Sequence, residues 1–81
     1  MREVATIPHE HYHIQIFNYN EKYILKIELG QFEQIYKLAE KDIKDVEDIK
    51  KMITPELLSN ALKRFVSMRE DWAEAFRIVD V

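Results

Sequence analysis

The stretch KYILKIELGQFEQIYKLA, residues 22–39, decides the fold of this chain. In its first half, apolar residues recur at every second position, which is the period of a β-strand with one buried face. These residues are Tyr23, Leu25, Ile27 and Leu29. Gly30 follows, and a glycine between two β-rich runs is typical of a tight hairpin turn. We therefore expect antiparallel strands at about 22–29 and 31–39.

The second half of this hairpin also fits a helix. A helical stripe through it and the segment after it would contain Phe32, Ile35, Tyr36, Ala39, Ile43 and Val46. Two arguments favour the strand. A glycine placed directly between two β-rich runs, as Gly30 is, is typical of a hairpin turn. In addition, an isolated two-stranded hairpin is only marginally stable in water, so a third strand is expected.

The segment before this hairpin supplies another alternating run. Tyr12, Ile14 and Ile16 alternate with polar residues, which predicts a strand at about 11–18. Asn18–Lys22 supplies the turn, since asparagine tolerates the left-handed backbone conformation. The chain is thus expected to begin with a three-stranded antiparallel sheet.

Two helices are expected after the sheet. Asp45 is a suitable N-cap for a short helix at about 45–53. Thr54-Pro55-Glu56 is the strongest local signal, because threonine caps a helix, proline suits its first position and glutamate complements its dipole. The long amphipathic helix that follows is predicted at about 55–78 and is expected to pack on one face of the sheet. The fold class is therefore α+β, in a single small domain covering residues 1–81.

The long C-terminal helix carries a heptad seam that reaches the end of the chain. Its members, spaced alternately by three and four residues, are Leu58, Ala61, Phe65, Met68, Trp72, Ala75 and Val79, and the apolar face is widened by Leu62, Val66, Ala73 and Phe76. A helix of this length measures about 36 Å, whereas a seven-residue strand measures about 23 Å. We therefore expect the last three turns to project beyond the sheet.

A projecting apolar seam suggests a contact surface, although the same residues could also form the core of a monomer. The candidate interface residues are Phe65, Met68, Trp72, Phe76 and Val79. Trp72 and Phe76, one turn apart, would form its anchor. A two-fold homodimer is the commonest closed arrangement, and another protein partner is possible.

Composition narrows the remaining function classes. The chain has 81 residues, no cysteine and a formal net charge of −3. The absence of cysteine excludes disulfides and thiolate metal sites and fits a reducing compartment, so we expect a cytoplasmic protein. No signal peptide or membrane-spanning run is expected. The net negative charge argues against nucleic-acid binding, which stays as an alternative function.

A histidine-rich segment, His9-Glu10-His11-Tyr12-His13, is the best candidate for metal binding. Residues at i and i+2 of a strand share a face about 6.6 Å apart, so one pair, His11 with His13 or His9 with His11, could hold one ion. Glu28 and Glu33 on neighbouring strands are further candidate ligands. The competing interpretation is that these side chains only decorate a solvated face of the sheet.

No reaction motif is present. Ser59 and Ser67 lie within the long helix with no base near them in sequence, and a single glycine excludes a nucleophile elbow or a phosphate loop. We expect no catalytic residue and no cofactor, although an enzyme site assembled across a dimer interface stays a third possibility. The leading expectation is a non-enzymatic interaction module that self-associates through its C-terminal helix, with a metal- or ligand-binding module as the alternative.

Overall fold

Four strands, one more than predicted, form an antiparallel sheet in the computed structural model, which describes residues 1–79. They are β1 (Arg2–Ile7), β2 (His13–Tyr19), β3 (Lys22–Leu29) and β4 (Phe32–Ala39). Each strand pairs with the one before it in the chain, so the order in the sheet is β1-β2-β3-β4. The region 32–39 is a strand and not a helix, as predicted.

Strand β1 escaped the prediction because its alternation is interrupted. Glu3 pairs with Phe17 and Ala5 pairs with Ile16, so the register shifts at Val4. Val4 and Ala5 are consequently both half-buried although they are consecutive. A bulge of this kind places one extra residue in the strand and removes the period of two from the sequence.

Two-residue turns join β2 to β3 and β3 to β4. Asn20 and Glu21 both have positive φ, 52° and 62°, as the central residues of a type I′ turn require. Gly30, with φ 62°, occupies the first central position of the second turn, followed by Gln31. The hairpin that Gly30 predicts is therefore confirmed.

The helices follow the sheet in the predicted order. After a short 3₁₀ turn at Glu40–Asp42 come α1 (Val46–Met52) and α2 (Pro55–Phe76). Asp45 caps α1 by accepting a hydrogen bond from the Asp48 N–H. Thr54 caps α2 in the same way, with 3.1 Å from the Leu57 nitrogen to its Oγ1.

The core lies between one face of the sheet and the two helices. Its buried members are Tyr12, Ile14, Ile16, Leu25, Ile27, Ile49, Ala61 and Phe65. The strand residues among them lie at alternate positions and pair across the sheet, Ile14 with Ile27 and Ile16 with Leu25. The opposite face of the sheet carries more polar side chains.

The molecule is elongated, with extents of 51 × 27 × 19 Å and a radius of gyration of 14.9 Å. A compact domain of the same length would have a radius of gyration of about 12 Å. The excess reflects α2, whose 22 residues extend about 33 Å along their axis. No helix within residues 1–79 is long and apolar enough to cross a membrane.

Candidate interaction surface

Side-chain hydrogen bonds fix the first half of α2 to the sheet. The Tyr12 hydroxyl donates to the Leu58 carbonyl oxygen at 3.2 Å, and the Gln34 amide nitrogen donates to the Ala61 carbonyl oxygen at 2.8 Å. Arg64 completes the link by donating from Nε to Gln34 Oε1 at 3.0 Å. All three attachments fall within the first ten residues of the helix.

Contact between α2 and the sheet ends near Met68. Phe65 is 3% exposed and packs beside Tyr12, with ring centroids 6.2 Å apart. Met68 is half-buried against the core, and every described residue from Arg69 to Val79 is exposed. Phe65 therefore packs mainly in the core, and only a small part of its side chain is left to border the groove beside the helix.

Trp72 and Phe76 lie on the projecting part of α2. Their rings meet edge to face with centroids 5.9 Å apart, which is a favoured geometry for an aromatic pair. They are 52% and 55% exposed, since no other element reaches them. Val79 lies in the turn after the helix and is exposed as well. The helix itself ends at Phe76, two residues before the predicted end.

A second apolar stripe runs along the flank of α2. Leu62 and Val66 lie within the part of the helix that packs on the sheet, yet they are 46% and 41% exposed because they face away from the core. Ala73 and Phe76 continue the same flank at helical spacing. Exposed apolar residues therefore recur along this flank from Leu62 to Phe76, with Arg69 between Val66 and Ala73.

An open groove of about 320 Å³ lies between this flank and the turn that joins β3 to β4. It is lined mainly by apolar side chains, and its lining residues are Leu29, Gly30, Gln31, Phe32, Leu62, Phe65, Val66 and Arg69. Sequence reasoning missed this groove because it depends on how the hairpin turn and the helix are placed in space. The only sequence signal was the apolar flank of the helix.

Charges on the projecting segment are mixed. Arg77 pairs with Glu74 at 2.8 Å. Arg69, at the rim of the groove, forms no ion pair with any residue in 1–79, and Glu70 and Asp71 follow it directly. Acidic and basic groups that alternate in this way do not make the basic stripe that nucleic-acid binding favours.

Neither predicted histidine pair lies on one strand, although His9 and His11 approach each other before β2, with ring centroids 6.0 Å apart. Strand β2 begins at His13, and His11 lies in the bend before it. His9 organises that bend, because its Nδ1 accepts hydrogen bonds from the backbone N–H groups of His11 at 3.0 Å and Tyr12 at 3.3 Å. This structural role of His9 was not predicted.

Cross-strand pairing brings His13 and the two predicted glutamates into one row. His13 lies opposite Glu28, and Glu28 lies opposite Glu33, on the face of the sheet away from the helices. Within residues 1–79, however, no three side chains of histidine, aspartate or glutamate are placed to hold one metal ion. The row therefore offers at most two ligands together.

Glu3 is the acidic group most affected by its neighbours. Hydrogen bonds from the side chains of Thr6 and Gln15, assisted by the charges of His13 and Lys26, lower the pKa of this exposed carboxyl from its ordinary value of 4.5. All these groups lie on the open face of the sheet. The hydrogen bond from Gln15 to Glu3 connects β1, at the edge of the sheet, to β2.

Comparison of the chain with known protein families, curated proteins and solved structures gives no significant match.

Proposed function

We propose that this chain is a non-enzymatic protein-interaction module that self-associates through the projecting end of α2. The observation that carries the proposal is the exposure of Trp72 and Phe76, which stand as a packed aromatic pair beyond the sheet. Aromatic side chains of this kind dominate the free energy of many protein interfaces.

The exposed apolar area supports a second copy of the chain as the partner. The exposed fractions of the apolar side chains on α2 and the turn after it correspond to roughly 600 Å², compared with about 800 Å² for each partner of a standard interface. These side chains are Leu62, Val66, Trp72, Phe76, Ile78 and Val79. The largest apolar patch on a typical monomer measures about 300–600 Å² and is often functional.

The distribution of polar groups supports a binding role over a catalytic one. None of the charged or polar side chains described in residues 1–79 is buried. The groove beside α2 is lined largely by apolar atoms and contains one titratable group, Arg69. A catalytic site would need several polar groups that converge in a pocket.

Sedimentation equilibrium over a wide concentration range tests the proposal. We expect the wild type to form dimers and the Trp72→Ala variant to dissociate roughly 1000-fold more readily. Each dimer contains two copies of Trp72, and truncation of an interface tryptophan typically costs about 2 kcal/mol of binding free energy. Tyr19→Ala is the matched control, because Tyr19 is also 52% exposed but lies at the end of β2. It should dimerise like the wild type.

The fluorescence of Trp72 gives an independent measurement, because it is the only tryptophan in the chain. Burial of its indole in an interface should shift the emission to shorter wavelength as the protein concentration rises. A wild type that stays monomeric at the highest concentration, or a Trp72→Ala variant that associates as tightly as the wild type, would rule out self-association through this surface.

A further inference from the structure

We infer that two copies pair their α2 helices antiparallel, about a two-fold axis near Arg69, so that Phe76 of each copy occupies the groove of the other. This inference rests on the proposed self-association and assigns its geometry. In this geometry, the groove between the β3–β4 turn and α2 is the binding site for the projecting helix end of the second copy.

The first argument is the spacing of the exposed stripe on α2. Leu62, Val66, Arg69, Ala73 and Phe76 follow one another at steps of four, three, four and three residues. This is a second heptad seam, beside the one that the sheet covers. It contains an arginine at its midpoint, with two apolar residues on each side.

The second argument is the symmetry of that seam about Arg69. Leu62 lies seven residues before Arg69 and Phe76 lies seven residues after it. In an antiparallel pair related by a two-fold axis at Arg69, Leu62 lies opposite Phe76 of the second copy. Val66 lies one residue from the position directly opposite Ala73 of the second copy. A small side chain opposite a branched one lets the two helices approach closely.

The third argument is a match of lengths. Along α2 the groove runs from Leu62 to Arg69, and the uncovered part of the helix runs from Arg69 to Phe76. Each segment spans about 10 Å at 1.5 Å per residue. The projecting end of one copy therefore covers the groove of the other along its full length, and the arrangement closes with two equal contacts.

The groove also suits an aromatic side chain. Its volume of about 320 Å³ leaves room for a phenyl ring, and Leu29, Phe32 and Val66 present apolar atoms to that ring. Gly30 in the turn has no side chain to close the opening, and no heavy atom lies within 4 Å of the position where a Cβ would stand. Phe76 of the second copy would enter beside Leu62.

Charge pairing at the two-fold axis is compatible with this geometry. The Arg69 side chains of the two copies would approach each other, which is unfavourable for like charges. Glu70 of the second copy lies one residue from this point and can pair with Arg69, and the symmetry repeats the pair. Arg69 is free for this contact, because it has no ion-pair partner among residues 1–79.

Engineered cysteines test the orientation against a background that contains no cysteine. A disulfide requires Cα atoms about 4.4–6.8 Å apart. Arg69→Cys should link to itself, since the axis passes near this residue. Val66→Cys and Ala73→Cys should each fail to form a disulfide between two identical copies, because the equivalent residues lie about 9 Å and 12 Å apart along the helix axis. A mixture of the two variants should form a disulfide between the cysteine at position 66 of one copy and the cysteine at position 73 of the other. Ser67→Cys, on the opposite side of α2, is the negative control.

Each result discriminates between arrangements. Self-linking at all three stripe positions would indicate a parallel pair, and self-linking of Ala73→Cys alone would indicate contact between helix ends only. Either result overturns the proposed orientation while the self-association stands. A monomeric wild type in sedimentation would remove the proposed function itself. Each cysteine variant is first shown to dimerise under reducing conditions, so that a missing link reports geometry.

Discussion

Replacing two phenylalanines on the same helix by alanine is expected to change the stability of the monomer by very different amounts. Phe65→Ala removes a ring that is 3% exposed and contacts the core, whereas Phe76→Ala removes one that is 55% exposed beyond the sheet. Truncation of a buried phenylalanine typically costs about 3–5 kcal/mol of unfolding free energy. A chain of 81 residues has a total unfolding free energy of about 4–12 kcal/mol, so Phe65→Ala should remove at least about a quarter of it.

Phe76→Ala should leave the unfolding free energy of the monomer within about 0.5 kcal/mol of the wild type, as surface substitutions generally do. The lost contact with Trp72 is partly offset, because alanine has the higher helix propensity. The assay is urea unfolding at several protein concentrations, monitored by the far-UV circular dichroism signal of the helices. Self-association adds stability that grows with concentration, so the deficit of Phe76→Ala should appear only in concentrated samples.

The Phe65→Ala deficit should be present at every concentration. In thermal unfolding it corresponds to a midpoint at least about 12 °C lower, since 1 kcal/mol shifts a domain of this size by about 4–8 °C. Equal losses for Phe65→Ala and Phe76→Ala in dilute solution would refute the reasoning. That result would mean that the end of α2 folds back onto its own sheet.

Three further predictions test local features of the sheet and its turns. His9→Ala should lower the unfolding free energy by about 1 kcal/mol, because two backbone N–H groups lose their acceptor, while His11→Ala should have little effect; urea unfolding of both variants compares them. Glu21→Gly should raise the thermal midpoint, since glycine adopts the φ of 62° without strain, whereas Gly30→Ala should lower it for the converse reason. The lowered pKa of Glu3 means that its carboxylate stabilises the fold above the ordinary pKa of 4.5 and that this stability is lost as the pH falls through the folded value. The thermal midpoint of Glu3→Gln should therefore change less between about pH 5 and 3 than the midpoint of the wild type. Identical acid profiles for the two proteins would contradict this role.

The sequence predicted those elements whose hydrophobic period is regular. Strand β3 has the predicted bounds, and the Thr54-Pro55 signal places the start of α2 at the observed residue. Strand β4 was ambiguous because its apolar residues fit two periods. In the strand, Tyr36 and Leu38 pack against the core, whereas Ile35, which a helix would have buried, is 51% exposed on the outer face of the sheet.

The remaining features depend on tertiary structure. The bulge at Val4 conceals β1, and no local pattern reveals a register shift that only the partner strand defines. The heptad seam of α2 is equally regular on both sides of Met68, so periodicity alone could not separate Phe65 in the core from Trp72 outside it. Comparing the length of the helix with that of the strands did predict a projecting end. The groove required the coordinates of the hairpin turn.

The chain-order arrangement of the strands has a consequence for synthesis of the protein. Each strand can pair with its predecessor soon after it leaves the ribosome, and local pairing of this kind favours rapid folding. The apolar face formed by Ile14, Ile16, Leu25 and Ile27 gains its full cover only when Ala61 and Phe65 arrive, some 22–26 residues after β4 is complete. A nascent chain paused in this interval would present an open apolar sheet to its surroundings, and this is the stage at which a chaperone would be most useful to it.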